Sequence, residues 1–440
     1  MAEVQPFRGY RYNLAQVGAL EDVVAPPYDV IDSALQDELY AKNPANVVRL
    51  ILNKENDNDN DHDNRYTRSA ACLREWLAND TLLQDSQRNI YAVEQRFEVD
   101  GRILTRKGFL ARVKLEPFGQ GRIFPHEETL SGPKADRLKL FRATAMNLSP
   151  VFGLYPDPEA SIPKLLDQAI GRALPLEATD HLGVVSRLWP LADHKIVSQI
   201  TALMADKPVF LADGHHRYET GLKYLAEREE LANREGRPLD PDAAPRYILM
   251  FLVAMSDPGL EIQPTHRLVR GLPGVTSEGI RECLDSAFDI ISAGSGEEGC
   301  RAAWEEIELN GRQDLLAFGT KADNEWLLAR LKDPALMEKA APAKSSAWRQ
   351  LGVSILHNIA LDTLLKPQAG PDGVRCAYVH QVREVLDDLA SDQGSDLAVL
   401  VPPASMEMVQ QIAGGGEKMP PKSTYFYPKI LSGLVFNPLK

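Results

Sequence analysis

Apolar residues in this chain fall into two patterns. Short, nearly continuous runs end at glycine, proline or charged clusters, and between them lie segments where apolar positions return every three or four residues. That alternation predicts buried strands mixed with amphipathic helices. The run 246–255 (RYILMFLVAM) is short and bounded by turn signals, so it reads as a central strand buried on both faces. A second apolar run, 209–212, is expected beside it in one mixed sheet, with the following helix packed on the sheet's face. Segments 90–99 and 102–115 flank Asp100-Gly101, a strong two-residue turn signal, and predict a hairpin. Ala70, Leu73, Trp76 and Leu77 mark one face of a helix over 67–77. Further helices are expected over 163–173, 193–204, 351–365 and 405–413, the last capped by Ser405. Strands are expected over 46–52, 149–155, 181–189 and 397–401.

The stretch Asp213-Gly214-His215-His216-Arg217-Tyr218-Glu219 follows the 209–212 run and opens a helix. Asp213 reads as its N-cap, and Gly214 permits close approach of backbone or ligand. Tyr218, Leu222 and Leu225 recur on one face, carrying the helix to about Leu231. Free first-turn amides and the positive end of the helix dipole, beside two histidines and an arginine, make an anion site. The plainer reading is a capped helix with surface histidines. A metal is a poorer fit, because His215 and His216 diverge by about 100° on a helix. His215 and Glu219 could share an ion, yet two ligands do not complete a site.

Other polar segments qualify as site material. Two prolines in VVAPPYDVI make a rigid loop that holds Tyr28 and Asp29 before a helix capped near Asp32 or Ser33. Residues 124–137 pack His126, Glu127, Glu128, Lys134, Asp136 and Arg137 together without apolar periodicity, as a functional loop or a solvated one. His266-Arg267 is a second His-Arg pair at the end of an element. Gly414-Gly415-Gly416 lacks the GK[ST] of a P-loop. Lys422, Ser423, Thr424 and Lys429 beyond it are phosphate-contact candidates or surface residues of a terminal strand. The run NKENDNDNDHDN lacks the glycine and terminal glutamate of an EF-hand and reads as a solvated loop.

Composition narrows the class. With 440 residues, 44% hydrophobic and 25% charged, the chain is globular and long enough for two or three domains. We place soft boundaries at 1–155, 156–273 with the DGHHRYE strand-turn-helix, and 274–440, a C-terminal α/β part in which 274 to about 340 reads as an appended or inserted smaller module; alternatively 1–273 is one core. No run reaches a membrane span, and MAEVQPFRGYRYN has no signal-peptide core, so a cytoplasmic protein is expected. Cys72, Cys283, Cys300 and Cys376 are widely spaced, which suits reduced thiols rather than a disulfide framework or zinc ribbon. A net charge of -13 disfavours a nucleic-acid surface, so any anion site must be local.

The strings APPYDVI, PHEETLSGPKADR, ADGHHRYET, PTHRLV and MPPKSTYFYPKILSGLVF, in this order, resemble a widespread bacterial and archaeal family of domain-of-unknown-function proteins of about this length. Within it, DGHHRYE is similar to the phosphate-gripping turn of the ParB and sulfiredoxin superfamily, which includes free-serine kinases. The resemblance implies an α+β (mixed α/β) fold with a mixed sheet core and a phosphate-binding turn and helix. It also implies that nucleotide phosphates, from ATP or ADP, lie on the amides of Gly214, His215 and His216 with Arg217 beside them. Asp213 would then stand near Mg2+ or the substrate. ParB-like cores are much smaller than this chain, so most of it lies outside that likeness.

The reading that follows is a nucleotide-dependent phosphotransferase acting on a small hydroxylated metabolite, free L-serine by analogy. Such a reaction needs positioning and charge neutralisation more than covalent help. Glu127 and Glu128 beside His126, with Asp29 behind them, are the candidate catalytic groups. His266, Arg267, Lys422 and Lys429 join the phosphate set, and Tyr28 and Glu219 the substrate set. Two alternatives stay open: a hydrolase of a phosphoester such as phosphoserine or a nucleotide, and a non-catalytic nucleotide-sensing ParB-like module.

Overall fold

The computed structural model describes residues 3–128, 131–371 and 373–440. It is a mixed α/β structure in two compact units. The first comprises 1–125, 129–260 and 428–440; the second comprises 126–128 and 261–427. The expected boundary after residue 155 falls inside the first unit.

Nine strands form the sheet of the first unit. In order they are Ile123–Phe124, Val209–Asp213, Val151–Tyr155, Tyr247–Ala254, Arg102–Lys114, Ile90–Val99, Val185–Leu191 and Leu176–Thr179, with Val4–Gln5 against the 102–114 strand. The 123–124 strand runs parallel to 209–213, and 151–155 parallel to 247–254; the other pairs are antiparallel. This mixed sheet contains both apolar runs, and 247–254 is buried at every position. The two are not neighbours, however, because 151–155 lies between them. Gly153 makes this close approach possible: a Cβ there would stand 2.6 Å from Met250 Sδ and 2.7 Å from Val209 Cγ1. The hairpin forms as its turn signal predicts, with positive φ at both Asp100 and Gly101.

Helix His215–Arg234 turns Tyr218, Leu222 and Leu225 onto the core beneath this sheet, the face its spacing predicts. Tyr224 meets Leu138 and Phe141 of a neighbouring helix, Ser131–Thr144. That helix corrects the loop expected over 124–137. Its apolar face is short, and it is held by ion pairs from Lys134 to Glu219 (2.7 Å) and Arg142 to Glu227 (2.6 Å), which periodicity does not register. The expected 46–52 strand is instead a helical turn, Val48–Ile51. Buried Asn46 starts it, accepting from the Val48 amide at 3.0 Å while donating to the Val24 carbonyl at 3.1 Å.

The second unit has a six-stranded antiparallel sheet. Its order is Phe288–Ser295, Glu325–Leu331, Leu315–Thr320, Leu397–Leu400, His266–Arg270 and Arg375–Val379. One core collects Val269, Phe318 and Leu327 with the helical segment 352–365; the other collects Leu268, Ala317 and Trp326 with helix Gly296–Asn310. The segment expected as one helix over 351–365 is an α-turn, Gly352–Ile355, passing into a π-helical stretch, Leu356–Leu364. A separate ribbon pairs Glu261–Gln263 with Tyr425–Tyr427.

Candidate functional site

The Val209–Asp213 strand ends in an irregular register: Leu211 opposes Gly153 and Asp213 already opposes Phe152. Such a bulge bends the strand end and re-aims its last side chain. Gly214 follows with φ of 83°, the left-handed conformation that glycine adopts without a Cβ clash. It is the N-cap of helix 215–234 and, lacking a side chain, makes no side-chain cap bond of its own. The expected cap, Asp213, is drawn elsewhere. Its Oδ1 accepts from Lys429 Nζ at 3.0 Å and its Oδ2 from Arg217 Nη2 at 2.7 Å. Burial alone would raise this carboxyl, but Lys429 and Arg217, with a contribution from His215, hold it well below the usual carboxylate range.

Arg217 is thereby built into the turn. Its side chain is 5% exposed, and its second terminal nitrogen donates to the Pro150 carbonyl. The guanidinium lies against Gly214, so a Cβ at that position would stand 3.0 Å from Arg217 Nε. Glycine is thus favoured by the backbone angle, and a Cβ would also crowd the guanidinium. His215 is buried at 6% exposure, and Glu219 on the same helix accepts from Lys134.

The proline loop reaches the same neighbourhood. Tyr28 is half-buried, with the Arg137 guanidinium 3.9 Å from its ring centre. Arg137 also donates to Asp136 (2.6 Å) and the Ile51 carbonyl (2.7 Å), while Asp136 accepts from Tyr66 (2.7 Å) and pairs with Arg65. Burial raises the Tyr28 hydroxyl, Asp29 adds to this, and Arg137 and Arg217 oppose it. Charges from three separate segments are therefore felt at one phenol. Arg137 was visible in the sequence only as part of a polar block; its stacking on Tyr28 needed the helix that the block forms.

Tyr28, Asp29, Asp213, Gly214, His215, His216, Arg217, Glu219 and Lys429 all belong to the first unit, and of these Asp213, Gly214, Arg217 and Lys429 meet at the turn. His126, Glu127, Glu128, His266, Arg267 and Lys422 belong to the second. There, buried His126 shares a hydrogen bond with Thr424 Oγ1 at 2.7 Å, and Glu127 accepts from the Lys422 amide at 2.8 Å. Glu128 is exposed. Arg267, fully buried, donates to the Thr265 and Lys422 carbonyls beneath the Tyr378 ring. His266 points to the opposite face of its strand, edge-on to Trp304, and its Nδ1 accepts from the Val401 amide at 3.3 Å. Burial, with His380 and Arg267 adding, pushes it down to about 3.

A cleft of about 610 Å³ also opens on the first unit, lined by Glu94, Asp167, Glu177, Arg187 and Trp189 among others. Arg187 answers two of its acids, bonding Glu177 at 2.6 Å and Glu94 at 3.0 Å. None of the residues lining it belongs to the Gly214 turn. All four cysteines are free thiols. No helix among the described residues is long and apolar enough to cross a membrane.

Residues 4–354 match a protein-family model described as "Protein of unknown function (DUF1015)". No curated protein matches the chain. Among solved structures, a free serine kinase mutant in complex with ADP is 11% identical, with 69% of this chain and 84% of that one aligned at a TM-score of 0.33. A conserved hypothetical protein from Pyrococcus furiosus is 12% identical over 70% of this chain and 89% of its own, at 0.33. SbnI with a C-terminal truncation, from Staphylococcus aureus, is 10% identical over 75% and 87%, at 0.35. Likeness of this degree carries no argument about the fold or chemistry of the present chain.

Proposed function

The chain belongs to the DUF1015 family, and on that premise we propose that it is a nucleotide-dependent phosphotransferase whose first unit holds nucleotide phosphates at the Gly214 turn. The observation that carries this reading is the turn itself. A left-handed glycine, itself without a side chain, opens a helix of 20 residues beside Lys429 and a carboxylate kept ionised. Amides at a helix start, the positive end of the dipole and an ammonium together favour an anion.

In this reading the amides of Gly214, His215 and His216 bind the β- and γ-phosphates. Arg217 orients rather than binds, because both terminal nitrogens of its guanidinium are engaged by Asp213 and the Pro150 carbonyl. Lys429, part-exposed at 13%, is the cation able to turn from Asp213 to an incoming phosphate. Asp213 would hold Mg2+ as a single ionised carboxylate, jointly with phosphate oxygens, through the oxygen that Lys429 gives up when it turns to the phosphate. When bound, the ion supplies charge neutralisation at those phosphates. A hydroxylated acceptor, free L-serine by the resemblance above, must lose its proton to a carboxylate. Asp29 suits that task best, since it shares a unit with Gly214 and the neighbouring Tyr28 feels the charge of Arg217.

The test is to incubate the pure protein with ATP or ADP, Mg2+ and a pool of hydroxy metabolites that includes L-serine, following phosphorus by NMR. A new phosphomonoester resonance is expected, with loss of a nucleotide phosphoryl group. Release of inorganic phosphate alone would favour the hydrolase reading. No binding of either nucleotide by calorimetry would overturn the proposal.

A further inference from the structure

Arg106 lies in the middle of the 102–114 strand with no exposed surface, its guanidinium carbon 4.8 Å from the ring centre of Phe152 and 5.7 Å from that of Phe251. A side chain needed there only for packing would be apolar, since a cation taken from water loses its hydration. Burial pushes this guanidinium down to about 9, so it remains charged at neutral pH. Its Nη2 donates to Gln95 Oε1, directly opposite it in the sheet register, and to the Pro428 carbonyl, 322 residues away in sequence. Gln95 Nε2 donates in turn to the Lys429 carbonyl at 3.3 Å. Two consecutive carbonyls of the returning chain are therefore held by one buried pair. Phe152, on which the guanidinium rests, is also the residue opposite Asp213. The 90–99 and 102–114 strands thus hold the Lys429 end of the Lys429–Asp213 contact, and the 209–213 strand, paired through Phe152, carries the Asp213 end.

We propose that Arg106, with Gln95, is the positioning residue of the Gly214 site: it fixes the Pro428–Lys429 backbone so that the Lys429 ammonium stays against Asp213. The effect on Lys429 stands on these contacts alone, while any effect on nucleotide affinity rests on the function proposed above.

The experiment measures acylation of Lys429 by an N-hydroxysuccinimide ester, using peptide mass spectrometry, relative to exposed Lys223 of the same unit. Arg106→Lys keeps the charge but loses the planar guanidinium that rests on Phe152 and Phe251 and aims one nitrogen at both acceptors. Gln95→Met removes an acceptor and a donor without changing charge, and carries the test should Arg106→Lys fail to fold. Losing charge-assisted hydrogen bonds of this kind shifts such equilibria by roughly tenfold or more. Lys429 in the folded variants should therefore label about tenfold faster than in the parent, with Lys223 unchanged. Parental labelling of Lys429 in both folded variants would overturn the proposal. ATP titrations on the same proteins separate the two claims. Faster labelling with unaltered ATP affinity upholds the positioning role and removes Lys429 from the phosphate set. Faster labelling in a chain that binds no nucleotide upholds it and removes the proposed function.

Discussion

Asp213 shows how much one buried carboxylate can settle. It stands between Lys429 and Arg217, whose side chains are 13% and 5% exposed, so Asp213→Asn takes from both cations the carboxylate they share. Breaking a pair of this kind costs about 3 kcal/mol, and denaturant unfolding of the variant should show that loss at pH 7. The pH dependence has a definite sign. Because the folded carboxyl lies below its unfolded value of about 4, its stabilisation is complete above that pH and is lost as the pH falls below it. The melting temperature of the parent should drop more steeply than that of Asp213→Asn below about pH 4. His266 behaves as a buried neutral base, its folded value of about 3 lying below the usual histidine range. Stability from keeping it neutral is present above the unfolded value near 6.5 and is lost progressively as the pH falls from there. Nitrogen NMR of the imidazole should stay flat from about pH 8 to pH 4, with Nδ1 unprotonated because it accepts the Val401 amide. Titration within that range would show that the ring is solvated.

At the scale of the element, the strand-turn-helix depends on Gly214. Alanine there must adopt φ of 83° and also place its Cβ 3.0 Å from Arg217 Nε. The backbone term alone is about 1–2 kcal/mol. Gly214→Ala should therefore lower stability by at least about that much in urea unfolding, and nucleotide affinity should fall with it if the turn binds phosphate. A variant with parental stability would mean that the turn relaxes without strain. Helix Ser131–Thr144 makes a complementary point, being anchored by Leu138 and Phe141 on one side and by Lys134 and Arg142 pairing with the 215–234 helix on another. Two adjacent helices are thus tied by both an apolar contact and charge.

For the whole molecule, the return of the chain end is decisive. Residues 428–440 belong to the first unit, although 167 residues of the second, 261–427, intervene. That short segment buries Ile430, Leu431, Leu434, Val435, Phe436 and Leu439 to 3% exposure or less. At about 2 kcal/mol each, their burial is comparable to the whole net stability of a typical domain, about 5–15 kcal/mol. Truncation after Tyr427 should accordingly unfold the first unit, seen as loss of amide-exchange protection across strands 90–114 and 247–254. The sheet of the second unit, with cores on both faces, should retain its protection. Protection kept throughout in the truncated chain would refute this account of the segment.

The sequence by itself determined elements whose cause is local. The Asp100-Gly101 hairpin follows from its turn, the buried strand 247–254 from its continuous apolar run, and the face of helix 215–234 from Tyr218, Leu222 and Leu225. Asp32 and Ser405 cap the helices that follow them because each side chain needs only its own next amides. Gly214 was recognisable as a turn for the same reason. What only the tertiary structure decided depends on partners far along the chain. Asp213 has the chemistry of an N-cap, but Lys429, 216 residues away, and with it Arg217 take its oxygens, and Gly214 occupies the cap position. The 151–155 strand separates the two apolar runs because Gly153 allows it, and no periodicity encodes sheet order. Val48–Ile51 is helical because Asn46 is held by a distant carbonyl, which overrides the strand preference of its valines. Local spacing can name the side chains that are able to bind a charge; which of them are already committed to one another is set by contacts between segments hundreds of residues apart.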